Sequence, residues 1–278
     1  MTGEPLDPGN LRARVALAAG AIRSASRPAP KVGWIAPTGT APLAPFWRGE
    51  ARSPARSLPG FPASFEEAFL VTASLDGIPL AAFEGGPALH GGATPLEIGF
   101  PVWVLASLGV RVLLLTAGAG SLDPSLAPGE ILLVRDHVNA SGLDPLRGLA
   151  DERLGPRFPD LSRLYDPRLR ETARRAAAEA RVPLREGAVA FRTGPSLDTP
   201  AERASFRGLG CLGVVHSLVP EAIAAAHAGT ALLALAAVTD AAHAEALPPS
   251  VEGMAEASAR ALPRLGALLA RTLREAAP

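Results

Sequence analysis

Short apolar runs alternate with helical stretches along most of this chain, and that alternation limits the fold more than any other feature. The runs Val32–Ala36, Arg111–Thr116, Glu130–Arg135, Gly187–Arg192, Cys211–His216 and Ala231–Thr239 carry few polar interruptions. Strands written this way are buried on both faces, as in a parallel sheet. Helical stretches fall between them at Pro95–Leu108, Pro167–Ala180, Pro200–Leu209 and Pro220–Ala228. One more, Asn10–Ser24, precedes the first strand, and a long one starts at about Val251. This order predicts an α/β fold with a mixed, largely parallel central β-sheet flanked by helices. Ala68–Ala73 and Ile78–Phe83 flank Asp76-Gly77, a hairpin signal. Leu43–Pro62, rich in Pro, Arg and Ser, reads as an irregular surface loop. The polar stretch Asp136–Asp166 exceeds an ordinary connection, and loops of that length are commonly functional. No repeat or linker divides the chain, so one domain is expected over residues 1–278.

Lys+Arg and Asp+Glu are 27 each, which argues against a nucleic-acid binder or a polybasic membrane-surface protein. A single cysteine, Cys211, excludes an intramolecular disulfide framework and a multi-cysteine metal site. It also points to a reducing compartment, and the expected location is the cytoplasm. The first residues have neither the basic start nor the apolar run of a signal peptide. The uncharged stretch Ala222–Thr239 approaches membrane length, but Gly229 divides it into a helix stopped by glycine and a buried strand. No membrane segment is expected.

In open α/β sheets, ligands gather at the carboxyl ends of strands. That rule selects Thr38–Thr40, Thr116–Ser121, Gly194–Asp198, His216–Ser217 and Thr239–His243. Nucleophile elbows, P-loops, zinc helices and dinucleotide fingerprints are absent. The five histidines lack metal-ligand spacing, and His227 reads as a packed or surface residue.

Several collinear segments resemble the trimeric purine nucleoside phosphorylase family. They are Leu113–Ser125, Pro128–Glu130, Asp136–Asn139, Asp144–Gly148, Asp151–Asp160, Gly194–Glu202 and Ser217–Glu221. The resemblance implies phosphorolysis: inorganic phosphate displaces a purine from the anomeric carbon of a nucleoside, releasing free base and a pentose 1-phosphate. The sugar passes through an oxocarbenium-like state, so the site must hold phosphate on one face and receive charge on the purine. Implied partners are a small-molecule purine nucleoside and phosphate, with phosphate as co-substrate and no metal or organic cofactor. A homotrimer is implied as well.

Carried over residue by residue, the resemblance assigns Ala117, Gly118, Leu197, Asp198 and Asp240 to the purine. Leu197 stands where the family has an aromatic, and Asp198 where it has a glutamate. Asp240 replaces an asparagine that bonds purine N7, so on this reading it would act in protonated form, favoured by burial. Related methylthioadenosine phosphorylases also carry Thr-Asp there, a hint of a 6-amino purine. Asp240 and His90 are the expected catalytic residues. Phosphate falls to Thr38, Thr40, Gly118 and Ser217, although Gly86 and Ala88 align with the family's arginine and histidine. His216 and Phe158, the latter lent by a neighbouring subunit, fall to the sugar. Two further readings stay open: a member that binds purines without phosphorolysis or serves as a structural subunit, and base release by water.

Overall fold

The computed structural model describes residues 5–25, 28–36, 46–241 and 249–276. Helix α1 (Leu11–Ala25) leads into β1 (Val32–Ala36), followed by β2 (Arg48–Pro54), β3 (Phe69–Leu75), β4 (Ile78–Glu84) and α2 (Pro95–Ser107). Strands β5 (Val112–Ser121) and β6 (Ile131–Asn139) precede α3 (Pro167–Ala180). From there β7 (Leu184–Phe191), α4 (Pro200–Gly208), β8 (Cys211–Val215), α5 (Val219–Ala228), β9 (Ala231–Asp240) and α6 (Val251–Ala276) alternate strictly. The expected α/β class is observed.

Two expectations need correction. The stretch anticipated as an irregular loop contains β2, an edge strand paired antiparallel to β3. All seven of its residues are exposed, so it lacks the apolar alternation that would have marked it. The small residues Ala117–Ser121 were expected to form a turn after a strand, yet β5 runs straight through them.

The sheet is mixed. β4, β1, β5 and β9 are parallel neighbours, with the β3–β4 hairpin and β2 added antiparallel at one edge. Asp76 and Gly77 both have positive φ, the conformation a two-residue hairpin turn requires. Beyond β9 the order continues through β6 and β7 to β8, whose Gly213 and Val214 pair back onto Ser121 and Gly120 of β5. Five strands thereby close into a ring, and β5 belongs to both the open sheet and the ring.

Apolar side chains cover both faces. On one, α1, α2 and α5 pack over Phe100, Leu113, Leu115 and Leu232. On the other, α3 and α6 cover Leu114, Leu133, Leu233 and Leu235. Leu265, Leu268, Leu269 and Leu273 form the buried stripe of α6, spaced as one helical face. His227 is packed, accepting a hydrogen bond of 3.0 Å from Trp103 Nε1 across the α2–α5 contact. No described helix is long and apolar enough to cross a membrane. Leu235 is completely buried at the centre of β9. Leu235→Ala should therefore cost about 2–5 kcal/mol of stability, measured as a lowered urea midpoint with unchanged slope.

Candidate active site

Parallel strands that end together leave their following residues on one rim. Here the ends of β1, β4, β5 and β9 meet the segments after β7 and β8 around a cavity of about 260 Å3. The lining residues come from far apart in sequence: Gly86–Ala88 and His90 after β4, Gly118 and Gly120 in β5, Leu197 and Asp198 after β7, and His216 and Ser217 after β8. Thr239 and Asp240 complete it from the end of β9.

Of the residues expected from sequence, His90, Gly118, Leu197, Asp198, His216, Ser217 and Asp240 all line this cavity. Ala117 does not. Its side chain is buried in the core behind the wall. Alternation along a strand makes this inevitable, since neighbours on β5 face opposite sides. Phe158 stands on the long loop after β6, 86% exposed and away from this cavity. Thr38 and Thr40 lie outside the described residues, as does His243.

Both carboxylates are held by arginines that sequence reasoning missed. Asp198 accepts a hydrogen bond of 3.2 Å from Arg192, which also pairs with Glu202. Thr199 caps α4 in a box with Glu202, so helix start and ion pair are fixed together. Asp240 is buried, and both its oxygens accept: Oδ1 from the Ser121 amide at 2.9 Å, Oδ2 from Arg203 at 2.7 Å. The protonated, donating Asp240 expected from sequence therefore disagrees with this arrangement, because each oxygen already faces a donor. Thr239 is tied to β5 by its hydroxyl, which donates to the Ala119 carbonyl at 3.1 Å.

Glu221 is a third missed group. It lines the cavity from the first turn of α5, and burial pushes its carboxyl up to about 7. It accepts from the Leu218 amide, whose residue sits at φ 84, so it braces the strained turn that presents Ser217. Behind Ser217 a side chamber of about 10 Å3, room for roughly one water, is lined by His216, Phe191 and Glu221. Glu221 Oε2 and His216 Nδ1 are buried without a hydrogen-bond partner among the described residues. Burial holds the His216 ring below its ordinary value, partly offset by Asp198, so the ring is neutral near pH 7. No group of three or more described His, Cys, Asp or Glu is placed to hold a metal ion.

A mixed sheet closing into a ring, with a nucleoside-sized cavity where its strands end, defines a nucleoside phosphorylase-like α/β protein. The phosphorylase superfamily profile matches residues 41–274. Purine nucleoside phosphorylase 1 of Bacillus subtilis is 33% identical over 235 residues, 84% of this chain and 87% of that protein. The Geobacillus stearothermophilus enzyme of the same name is 36% identical over 214 residues, covering 76% and 78%. A Schistosoma mansoni purine nucleoside phosphorylase in complex with adenosine superimposes with a TM-score of 0.90 at 27% identity, over 96% of this chain and 98% of that one. The chain belongs to the purine nucleoside phosphorylase family of the phosphorylase superfamily.

The Glu221 environment has a measurable consequence. Its folded value lies above the ordinary 4.5 of the unfolded chain, so the native state binds the extra proton between about pH 4.5 and 7. Stability from this group is therefore complete below that window and is lost as pH rises through it. His137, His216 and His227, each lowered by burial, act oppositely and lose stability on acidification. Glu221→Gln keeps a capping acceptor without the ionisation. Relative to the parent, it should gain roughly 2 kcal/mol between pH 5 and pH 8, read from urea unfolding at both values.

Proposed function

We propose that this protein is a purine nucleoside phosphorylase. Phosphate attacks the anomeric carbon of a bound purine nucleoside, the C1′–N9 bond breaks, and free base and pentose 1-phosphate leave. One observation carries this reading: a single cavity collects Asp198, His216, Ser217 and Asp240 from three separate segments of the chain. Base, sugar and phosphate each find a chemically suitable wall. Leu197 offers an apolar surface for the purine face, and the Asp198 carboxylate an acceptor for a ring N–H. The neutral imidazole of His216 lines the same cavity next to Ser217 and is the wall offered to the sugar. Ser217 presents a hydroxyl just before α5, so phosphate sits at the positive end of a helix dipole.

Phosphorolysis needs no metal or organic cofactor, since phosphate itself is the nucleophile. A homotrimer fits the exposure of Phe158, whose family counterpart reaches a neighbouring sugar pocket. A cytoplasmic location fits the lone buried Cys211.

Gly86 and Ala88 supply no charge where the family has arginine and histidine, so phosphate should bind weakly. Base release from inosine, guanosine, adenosine and methylthioadenosine, each with and without phosphate, tests the assignment. Release from at least one, only with phosphate, is the expected result. Release at the same rate without phosphate would instead make the protein a hydrolase. Ser217→Ala should raise the phosphate KM by about tenfold, leaving the nucleoside KM nearly unchanged.

A further inference from the structure

The cavity contains an arginine that neither sequence reasoning nor the family assignment gives a role. Arg203 projects from the first turns of α4 into the cavity wall beside Gly120 and Asp240. Its guanidinium is fixed on three sides. Nη2 donates to Asp240 Oδ2 at 2.7 Å, and Nη1 donates to the carbonyls of Ala241 at 3.1 Å and Ser121 at 3.4 Å. The glycine at 120 leaves room for this, because a Cβ there would stand 3.1 Å from both Nη2 and Asp240 Oδ1. An arginine has five N–H donors. Three are spent on these partners, so Nε–H and the second Nη2–H have none among the described residues. The side chain is 20% exposed, and what it faces is the cavity.

Building on the purine reading above, we infer that Arg203 is the donor that receives the departing base at N7, with Asp240 acting as its clamp. When C1′–N9 breaks, the bonding pair passes into the imidazole ring of the purine and comes to rest largely on N7. A phosphate oxygen forms the new bond to C1′. Arg203 keeps its proton throughout and contributes a charge-assisted hydrogen bond that strengthens as N7 gains charge. The released purine anion then takes its proton from water. A carboxylate alone would oppose this charge. The Asp240–Arg203 pair turns an unfavourable acceptor into a preorganised donor, and the three fixed contacts leave little rotamer entropy to be lost on binding.

Replacing N7 by carbon removes the acceptor while keeping the shape of the base, which isolates the contact. Titration calorimetry of the full-length protein with hypoxanthine and 7-deazahypoxanthine should show the natural base binding about 10- to 100-fold tighter. In Arg203→Met that ratio should fall to within about threefold of unity. Should removal of the arginine leave Asp240 unpaired and the chain unfolded, the comparison moves to Asp240→Ala, which leaves Arg203 its two carbonyl acceptors, and Arg203→Met/Asp240→Ala, which removes both charges. The first should keep a clear preference for N7, and the second should lose it. Full N7 preference in any variant lacking Arg203, or its complete loss in Asp240→Ala while Arg203→Met retains it, overturns the inference and returns the role to Asp240. If the folded wild type binds neither base, the same comparison is made with adenine and 7-deazaadenine; binding of none of the four makes the inference fall together with the purine reading, whereas phosphate-dependent base release alongside a ratio near unity would overturn the inference alone.

Discussion

Strand β5 is asked to satisfy two sheets at once, and the rest of the molecule is arranged around that demand. Its first residues pair with β1 on one side and β9 on the other, buried on both faces. Its last two, Gly120 and Ser121, close the ring with β8, Gly120 keeping its pairing with Asp240 of β9. The register against β9 slips between Ala119 and Gly120, where the pairing with β8 begins. Small residues make this feasible, since a Cβ at Gly120 would crowd the Arg203–Asp240 pair at 3.1 Å. The seam where the strand is least able to carry side chains is the floor of the cavity. Packing and function therefore share one cause.

The electrostatics follow from the same closure. Residues Asp198, Asp240, Arg192 and Arg203 are brought together by β7, α4 and β9, and each aspartate meets a guanidinium, Arg192 being shared with Glu202. Two buried carboxylates left alone would be costly and would repel the electron-rich purine. Paired, their charge is offset and the wall presents donors and acceptors at fixed positions. Glu221, in the first turn of α5, has no cation partner among the described residues, and burial leaves it protonated up to about 7. A neutral carboxyl is compatible with an anion at Ser217, where an ionised one would oppose it.

Much of this was legible from the chain. The strands β1 and β9, helices α2 to α6 and the Asp76-Gly77 hairpin follow from apolar periodicity, glycine stops and turn chemistry, all local effects. Strand β2 escaped because an edge strand exposed along its whole length carries no apolar pattern. The cavity residues were legible because strand ends, and the family motifs upon them, mark the binding rim. Ala117, assigned by the resemblance, turns its side chain to the core face of β5, because neighbours along a strand face opposite sides.

Sequence alone settled the α/β class, the order of its elements apart from β2, and the family, because burial and turn preferences act over a few residues and motifs are written linearly. The tertiary structure decided which side chains share an atom's neighbourhood. Arg203 and Asp240 lie 37 residues apart, on a helix and a strand that meet only after the ring closes. Whether an aspartate acts as a donor, an acceptor or a clamp depends on what stands within 3 Å of each oxygen, and periodicity carries no record of that.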